Sequence, residues 1–232
     1  LQKRFSGGLN ILSTYTWSKF LNNTNEGGAT LGGEGGTYSD FYNRAADWGP
    51  SENDVPHRFT FASVYELPFG RGKRWLSSGA IRHVLGDWTI SGVTTLQSGS
   101  PFTVTTQVNT TNAFSAGSLR ADVLRNPNLS SDERRLERWF DTDAFRQPAP
   151  YTFGNQGINI LRGDGYVNID LSLLKNIPLG EERKLQFRAE SFNFTNTPTF
   201  GLPGRVLGGP GFGIISSASP GRRVQLGLRL VW

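Results

Sequence analysis

Hydrophobic and polar positions alternate with a period of two in six stretches of this 232-residue sequence. The last stretch, residues 222–232, is the clearest: Val224, Leu226, Leu228, Leu230 and Trp232 alternate with Arg223, Gln225, Gly227, Arg229 and Val231. Such a pattern predicts a strand with one apolar and one polar face. Five earlier stretches read the same way. They cover about residues 5–19, with Leu9, Ile11, Tyr15 and Trp17 opposed to Asn10, Thr14 and Thr16, then 57–67, 88–106, 166–177 and 184–194. In the fifth, Leu185, Phe187 and Ala189 face away from Gln186, Arg188 and Glu190, which would bury charge unless that side is wet. Pro101 is expected to bend the third stretch near a rim, and residues 68–72 and 178–183 carry turn chemistry.

The connections alternate in length. Long ones follow the first and third stretches, at about 20–56 and 107–165, shorter ones follow the second and fourth, and a medium one follows the fifth. No stretch approaches the roughly 20 apolar residues of a spanning helix, so a membrane reading rests on strands of about 9–11 residues. A mean hydropathy of -0.38 agrees with that reading, because only alternate residues of a barrel strand face lipid. A tryptophan at the end of an alternating strand suits the headgroup belt. The expected fold is all-β: an antiparallel transmembrane β-barrel wall with long extracellular loops. With Trp232 at the periplasmic rim, counting backwards places both long connections outside the cell. A soluble β-sandwich binding module is the competing fold, and it would bury its apolar faces in one core.

The first long connection is Gly-rich over residues 27–36 and then aromatic. Tyr38, Phe41, Tyr42 and Trp48 are its candidate substrate-binding side chains, against the simpler reading that they pack on one another. In the second, Ser130 or Ser131 precedes a charged run at 132–139, which predicts a capped, solvated two-turn helix. Asp141, Asp143 and Asp164 are candidate oxygen donors for calcium, but their spacing lacks an EF-hand pattern and turn hydrogen bonding is the simpler reading. Arg188 and Glu190 are expected to pair or hydrate on the wet face.

Catalytic signals are missing. His57 and His83 belong to no metal or nucleophile motif, and no G-x-S-x-G elbow, Walker loop or G-x-G-x-x-G fingerprint occurs. His57 reads as a polar residue at a strand start. The chain is expected not to be an enzyme, and no cofactor or metal site is assigned.

Composition adds limits. The 29 Gly, 12 Pro and 12% aromatic residues fit short strands joined by turns. Cysteine is absent, which excludes disulfides and thiolate chemistry. With Leu at position 1, no Met and no signal segment, the chain reads as the C-terminal part of a longer precursor, residues 1–232 forming one barrel piece. The net charge of +5 comes from 24 scattered basic residues, so no nucleic-acid partner is expected.

Two resemblances sharpen these expectations. Gln225, Gly227, Leu230 and Trp232 resemble the C-terminal β-signal of bacterial outer-membrane proteins, which implies recognition by the barrel assembly machinery. More of the chain resembles the C-terminal barrel region of TonB-dependent receptors, particularly the Oar-like group. That likeness runs through Asp54-Val55-Pro56-His57-Arg58-Phe59, Leu67-Pro68-Phe69-Gly70-Arg71-Gly72-Lys73, Gly86-Asp87-Trp88 and Gln97-Ser98-Gly99-Ser100-Pro101-Phe102. It continues through Trp139-Phe140-Asp141-Thr142-Asp143-Ala144-Phe145, Asn168-Ile169-Asp170-Leu171-Ser172 and Phe192-Asn193-Phe194-Thr195-Asn196. Where that family often has Arg-Gly-Pro-Gly, this chain has Arg162-Gly163-Asp164-Gly165.

The resemblance implies about the last six strands of a 22-stranded outer-membrane barrel. It also implies an N-terminal plug coupled to TonB, ExbB and ExbD, and uptake of an unidentified small-molecule, saccharide or peptide substrate. A non-transporting surface barrel or adhesin in the same membrane is the functional alternative.

Overall fold

The computed structural model describes residues 2–4, 7–23, 39–40, 42–112, 119–180 and 183–232. Its main element is one antiparallel sheet of seven strands: β1 (Gln2–Arg4), β2 (Leu9–Trp17), β3 (His57–Glu66), β4 (Trp88–Gln97), β5 (Tyr166–Pro178), β6 (Lys184–Phe192) and β7 (Arg223–Val231). Each strand pairs with its neighbours in sequence, so the sheet is a simple meander. β1 and β7 are its edges, and among the described residues it does not close.

Register decides what each face carries. Leu228 lies opposite Phe187, Phe187 opposite Lys175, and Lys175 opposite Trp88. One row higher run Leu226, Ala189, Leu173, Ile90, Tyr65 and Leu9. These rows form one apolar face. The reverse face carries Gln225, Glu190, Ser172, Ser91 and Val64 in one row and Gly227, Arg188, Leu174, Thr89 and Glu66 in another. Polarity on that face therefore rises toward β7.

Among the described residues most of the apolar face is uncovered, only the part around Lys175 lying under residues 84–86: Leu228 is 71% exposed, and Leu226 is similar. The buried apolar residues are Phe102, Val104, Ala121, Phe140, Ala144, Phe145, Ile158, Leu161 and Ile215, and every one lies outside the seven strands. A sandwich would bury its strand faces against a second sheet. Here the strands hold no core, and a continuous exposed apolar face of this kind belongs against lipid.

The core belongs instead to a cap at one end of the sheet. The described parts of 18–56 and 98–165, together with 193–222, leave the sheet at that end, while 67–87 and the described part of 179–183 lie at the other. Phe140 packs edge-on against Phe145 and Phe212 and tilts against Phe102, with ring centroids 5.3–5.8 Å apart.

Several strand limits differ from expectation. The first stretch, expected over about 5–19, is β2 from Leu9 to Trp17, and β1 precedes it, making seven strands rather than six. The third stops at Gln97 instead of continuing to 106. There Gly99 lies so close to the next loop that a Cβ would meet the Gly163 carbonyl oxygen at 2.0 Å. Pro101 and Phe102 pair instead with Arg162 and Leu161.

The fifth stops at Phe192, because Asn193 is left-handed and its amide donates to the Asp170 carboxylate at 2.8 Å. Phe194 then resumes with its N–H on the Ile169 carbonyl, as across a bulge. The 67–87 turn contains a short helix, α1 (Arg82–Leu85), that periodicity did not indicate.

The expected helix at 132–139 is absent. Only half of its cap forms: the Ser130 N–H reaches Glu133 Oε2 at 3.2 Å, while Ser130 Oγ donates to that same oxygen at 2.6 Å and the Glu133 N–H goes to the Ser130 carbonyl. After one turn the backbone is drawn into tertiary pairing. Ile215 donates to the Leu136 carbonyl and Trp139 to the Gly213 carbonyl, which takes away the partners that a second helical turn needs.

Candidate functional site

The cap is the candidate site because it brings the longest connections together above the end of the sheet. Two ion pairs, the first buried on both sides and the second with only its carboxylate buried, tie the first connection to the second. Asp47 closes a 3-10 turn (Arg44–Asp47) and accepts from Ser39 Oγ at 2.7 Å, from the Ser39 N–H at 3.0 Å and from Arg120 Nη2 at 3.2 Å. Arg120 also donates to the Ala46 carbonyl at 2.7 Å. Burial lowers the pKa of Arg120, and Asp47 opposes that shift.

The second clasp joins Asp54 to Arg162. One guanidinium nitrogen bonds the Asp54 carboxylate, and another donates at 3.1 Å to the carbonyls of both Asp54 and Gly99. The Phe20 N–H donates to the other carboxylate oxygen at 2.7 Å. Trp139 Nε1 closes the arrangement on the Arg162 carbonyl at 2.8 Å. Asn159 adds a tie between the same loops, donating to the Pro50 carbonyl at 2.7 Å.

Asp141 holds the floor of the cap, taking Arg125 and Arg138 at 2.7 and 2.9 Å and the Asp143 N–H at 3.3 Å. Its oxygens are thus committed to guanidinium groups and a turn. Asp164 accepts from the Gly165 N–H at 2.9 Å. Among the described residues no three His, Asp or Glu side chains gather as an ion site.

These carboxylates set an acid limit. Burial alone would raise the pKa of Asp54 and of Asp141, but their amide and guanidinium donors outweigh it and hold both below the ordinary carboxylate value. A carboxylate depressed in the folded state contributes stability above its unfolded pKa of about 3.9, and loses it as pH falls through the folded value. Amide-exchange protection of the cap is therefore expected to be flat from neutrality to about pH 4 and to fall below that. Replacing both by Asn should flatten the acid limb, and an unchanged limb would assign it to other groups.

Of the sequence candidates, Tyr42 and Trp48 flank the 3-10 turn at the cap surface, 96% and 60% exposed. They do not pack on one another as a core. Tyr38 and Phe41 lie outside the described residues. His57 begins β3, where its Nδ1 and the Tyr15 hydroxyl share a 2.8 Å hydrogen bond. Arg188 and Glu190 approach to 3.6 Å on the polar face. Together with Gln186, Gln225 and Arg229 they line a shallow groove of about 200 Å³ across Gly227. The positions of the tail motif divide between faces: Gln225 and Gly227 lie opposite Glu190 and Arg188, while Leu230 pairs with Leu185 on the apolar side and Trp232 stands exposed beyond the strand. Asp47 and Arg120 carried no sequence signal, and although Asp54 and Arg162 lie in motif-like segments nothing in the sequence paired them, since the partners lie 73 and 108 positions apart.

A meander with one uncovered apolar face, one polar face and all of its buried core in loops at one end is the wall of a membrane β-barrel. A family model described as "Outer membrane beta barrel domain" matches residues 1–225, and the chain belongs to that family. It is a protein of the cell outer membrane. No curated protein and no solved structure matches it.

Proposed function

We propose that this wall serves an energy-coupled outer-membrane transporter of the TonB-dependent receptor type. The carrying observation is where the resembling segments meet. Arg162 clasps Asp54 and the Gly99 carbonyl, and Trp139 bonds the Arg162 carbonyl. Likewise Asn193 bonds Asp170. Segments scattered along the sequence are thus joined as structural ties at the junction of cap and wall, as expected if they are retained as one scaffold.

In this reading the polar face lines the lumen of a larger barrel of 22 strands, and the cap faces the medium. Its exposed aromatics Tyr42 and Trp48 meet an external small-molecule, saccharide or peptide substrate, and Tyr38 and Phe41 are assigned to the same substrate on their sequence character alone. Coupling to TonB, ExbB and ExbD belongs to an N-terminal plug outside this sequence. β7 engages the barrel assembly machinery through Gln225, Gly227, Leu230 and Trp232.

The upstream coding sequence tests transport directly. A plug and a TonB-contacting segment support it, and their absence leaves a surface barrel or adhesin. Sidedness is tested by single cysteines, which read cleanly in a sequence without any. Tyr42→Cys and Tyr151→Cys, both strongly exposed in the cap, should react with an impermeant maleimide on intact cells. Ser77→Cys and Leu179→Cys, in the opposite turns, should react only after lysis. The reverse pattern would overturn the external cap. Ser39 is unsuitable as an outer reporter because it is buried against Asp47, and Ser115 lies outside the described residues.

A further inference from the structure

We propose that the 67–87 turn is a membrane-surface anchor that docks anionic phospholipid headgroups at the rim opposite the cap. The first observation is placement. Lys175 and Trp88 stand on the apolar face of the sheet, opposite one another in register. The Lys175 ammonium donates to the carbonyls of Val84 and Gly86 at 2.6 and 3.0 Å and lies 4.7 Å over the Trp88 ring. Trp88 Nε1 donates to the Val84 carbonyl at 2.9 Å. These bonds hold α1 against the lipid-facing side of the wall, away from the polar side.

Its level follows from the strand. Lys175 lies three residues from the end of β5 at Pro178, about 10 Å along a strand. That is the depth range at which interfacial helices bury their apolar side, about 5–10 Å.

The second observation is what the turn exposes. Ile81, Val84 and Leu85 on and beside α1 are each more than half exposed, and Trp75 and Leu76 add to the same turn. They continue the uncovered apolar face of the wall, so the lipid that covers the wall reaches them too.

The third is charge. The 67–87 turn carries Arg71, Lys73, Arg74 and Arg82 against one acid, Asp87. Lys73 is paired with Glu66 at 2.6 Å, whereas Arg71, Arg74 and Arg82 have no carboxylate partner among the described residues. Arg74 lies over the Trp75 ring at 5.3 Å. Basic side chains beside exposed apolar and tryptophan side chains, at the edge of a lipid-covered wall, complement a phosphate-bearing surface.

The test uses the full-length protein in nanodiscs. A polarity-sensitive fluorophore is attached at Val84→Cys or, as a second placement, Ile81→Cys, with Leu228→Cys as the wall control and Tyr151→Cys as the cap control. Quenching is compared between spin-labelled phosphatidylglycerol and spin-labelled phosphatidylcholine at equal mole fraction. The expected result is quenching at Val84, Ile81 and Leu228 but not at Tyr151, with phosphatidylglycerol preferred at Val84 and Ile81 alone. Arg74→Gln and Arg82→Gln should each reduce that preference by roughly fivefold.

Equal quenching by the two lipids, or a preference that survives the Arg replacements, would overturn the headgroup site. So would an unquenched label at Val84 beside a quenched one at Leu228. A blue-shifted but unquenched label would assign the face to a protein: a second copy if the shift vanishes on dilution, another partner if it does not. An unquenched Leu228 would overturn the lipid-facing wall itself, which separates that failure from this one.

Discussion

Leu228→Arg should destabilise the membrane-folded full-length protein by about 2–4 kcal/mol, the cost of a basic side chain on the lipid face near the bilayer midplane. Leu228 is one residue from Gly227, the centre of the nine-residue strand β7, and points to the uncovered side with Leu226 and Leu230. Gln225→Arg is its partner experiment. Gln225 lies opposite Glu190 on the polar face, where a surface substitution stays within about 0.5 kcal/mol. The two replacements introduce the same side chain three residues apart, so strand propensity and net charge change almost equally. Denaturant titration in bilayers, read by the heat-modifiable band, gives both numbers. Equal losses, or a larger loss for Gln225→Arg, would reverse the assignment of faces.

The faces themselves were legible because alternation is a local property. Once Leu185, Phe187 and Ala189 alternate with Gln186, Arg188 and Glu190, antiparallel pairing carries the division from strand to strand without further information. Strand ends were less legible, because they depend on contacts made elsewhere. Nothing local stops the fifth stretch at Phe192; the Asp170 carboxylate does so by taking the Asn193 amide. The helix at 132–139 is likewise lost to distant contacts, since Ser130 and Glu133 still meet at its first turn while the competing partners lie at Gly213 and Ile215.

The cap was the least legible part. Phe102, Phe140, Phe145 and Phe212 carry no period, sit among polar and turn residues, and reveal their common cluster only when two connections meet. The same reason hid the clasps. Asp54 and Arg162 were both visible within motif-like segments, but a single sequence holds no term that links position 54 to position 162. Tyr42 and Trp48, chosen for their aromatic character, do lie on the cap surface, whereas the groups that hold the cap together are charged and buried.

Arg120→Ala is expected to open the cap while leaving the wall folded. The Arg120 and Asp47 side chains are 4% and 1% exposed, so removing the guanidinium strands a carboxylate in a site that water hardly reaches. Breaking such a pair from one side costs about 3–5 kcal/mol, more than the pair contributes over an apolar replacement of the same volume. Two Ser39 donors remain on Asp47, which points to the lower end of that range. Asp47→Asn should be milder than Arg120→Ala, because it leaves the always-charged group with the Ala46 carbonyl still in place. The double replacement Arg120→Met with Asp47→Leu should recover much of the loss, since neither charge is then buried alone. Amide exchange across residues 42–56 and 119–165 of the full-length protein reports the cap, and the heat-modifiable band reports the wall. Loss of both together would mean that cap and sheet unfold as one unit, and a double variant no better than Arg120→Ala would show that the pair acts through geometry rather than through its buried charge.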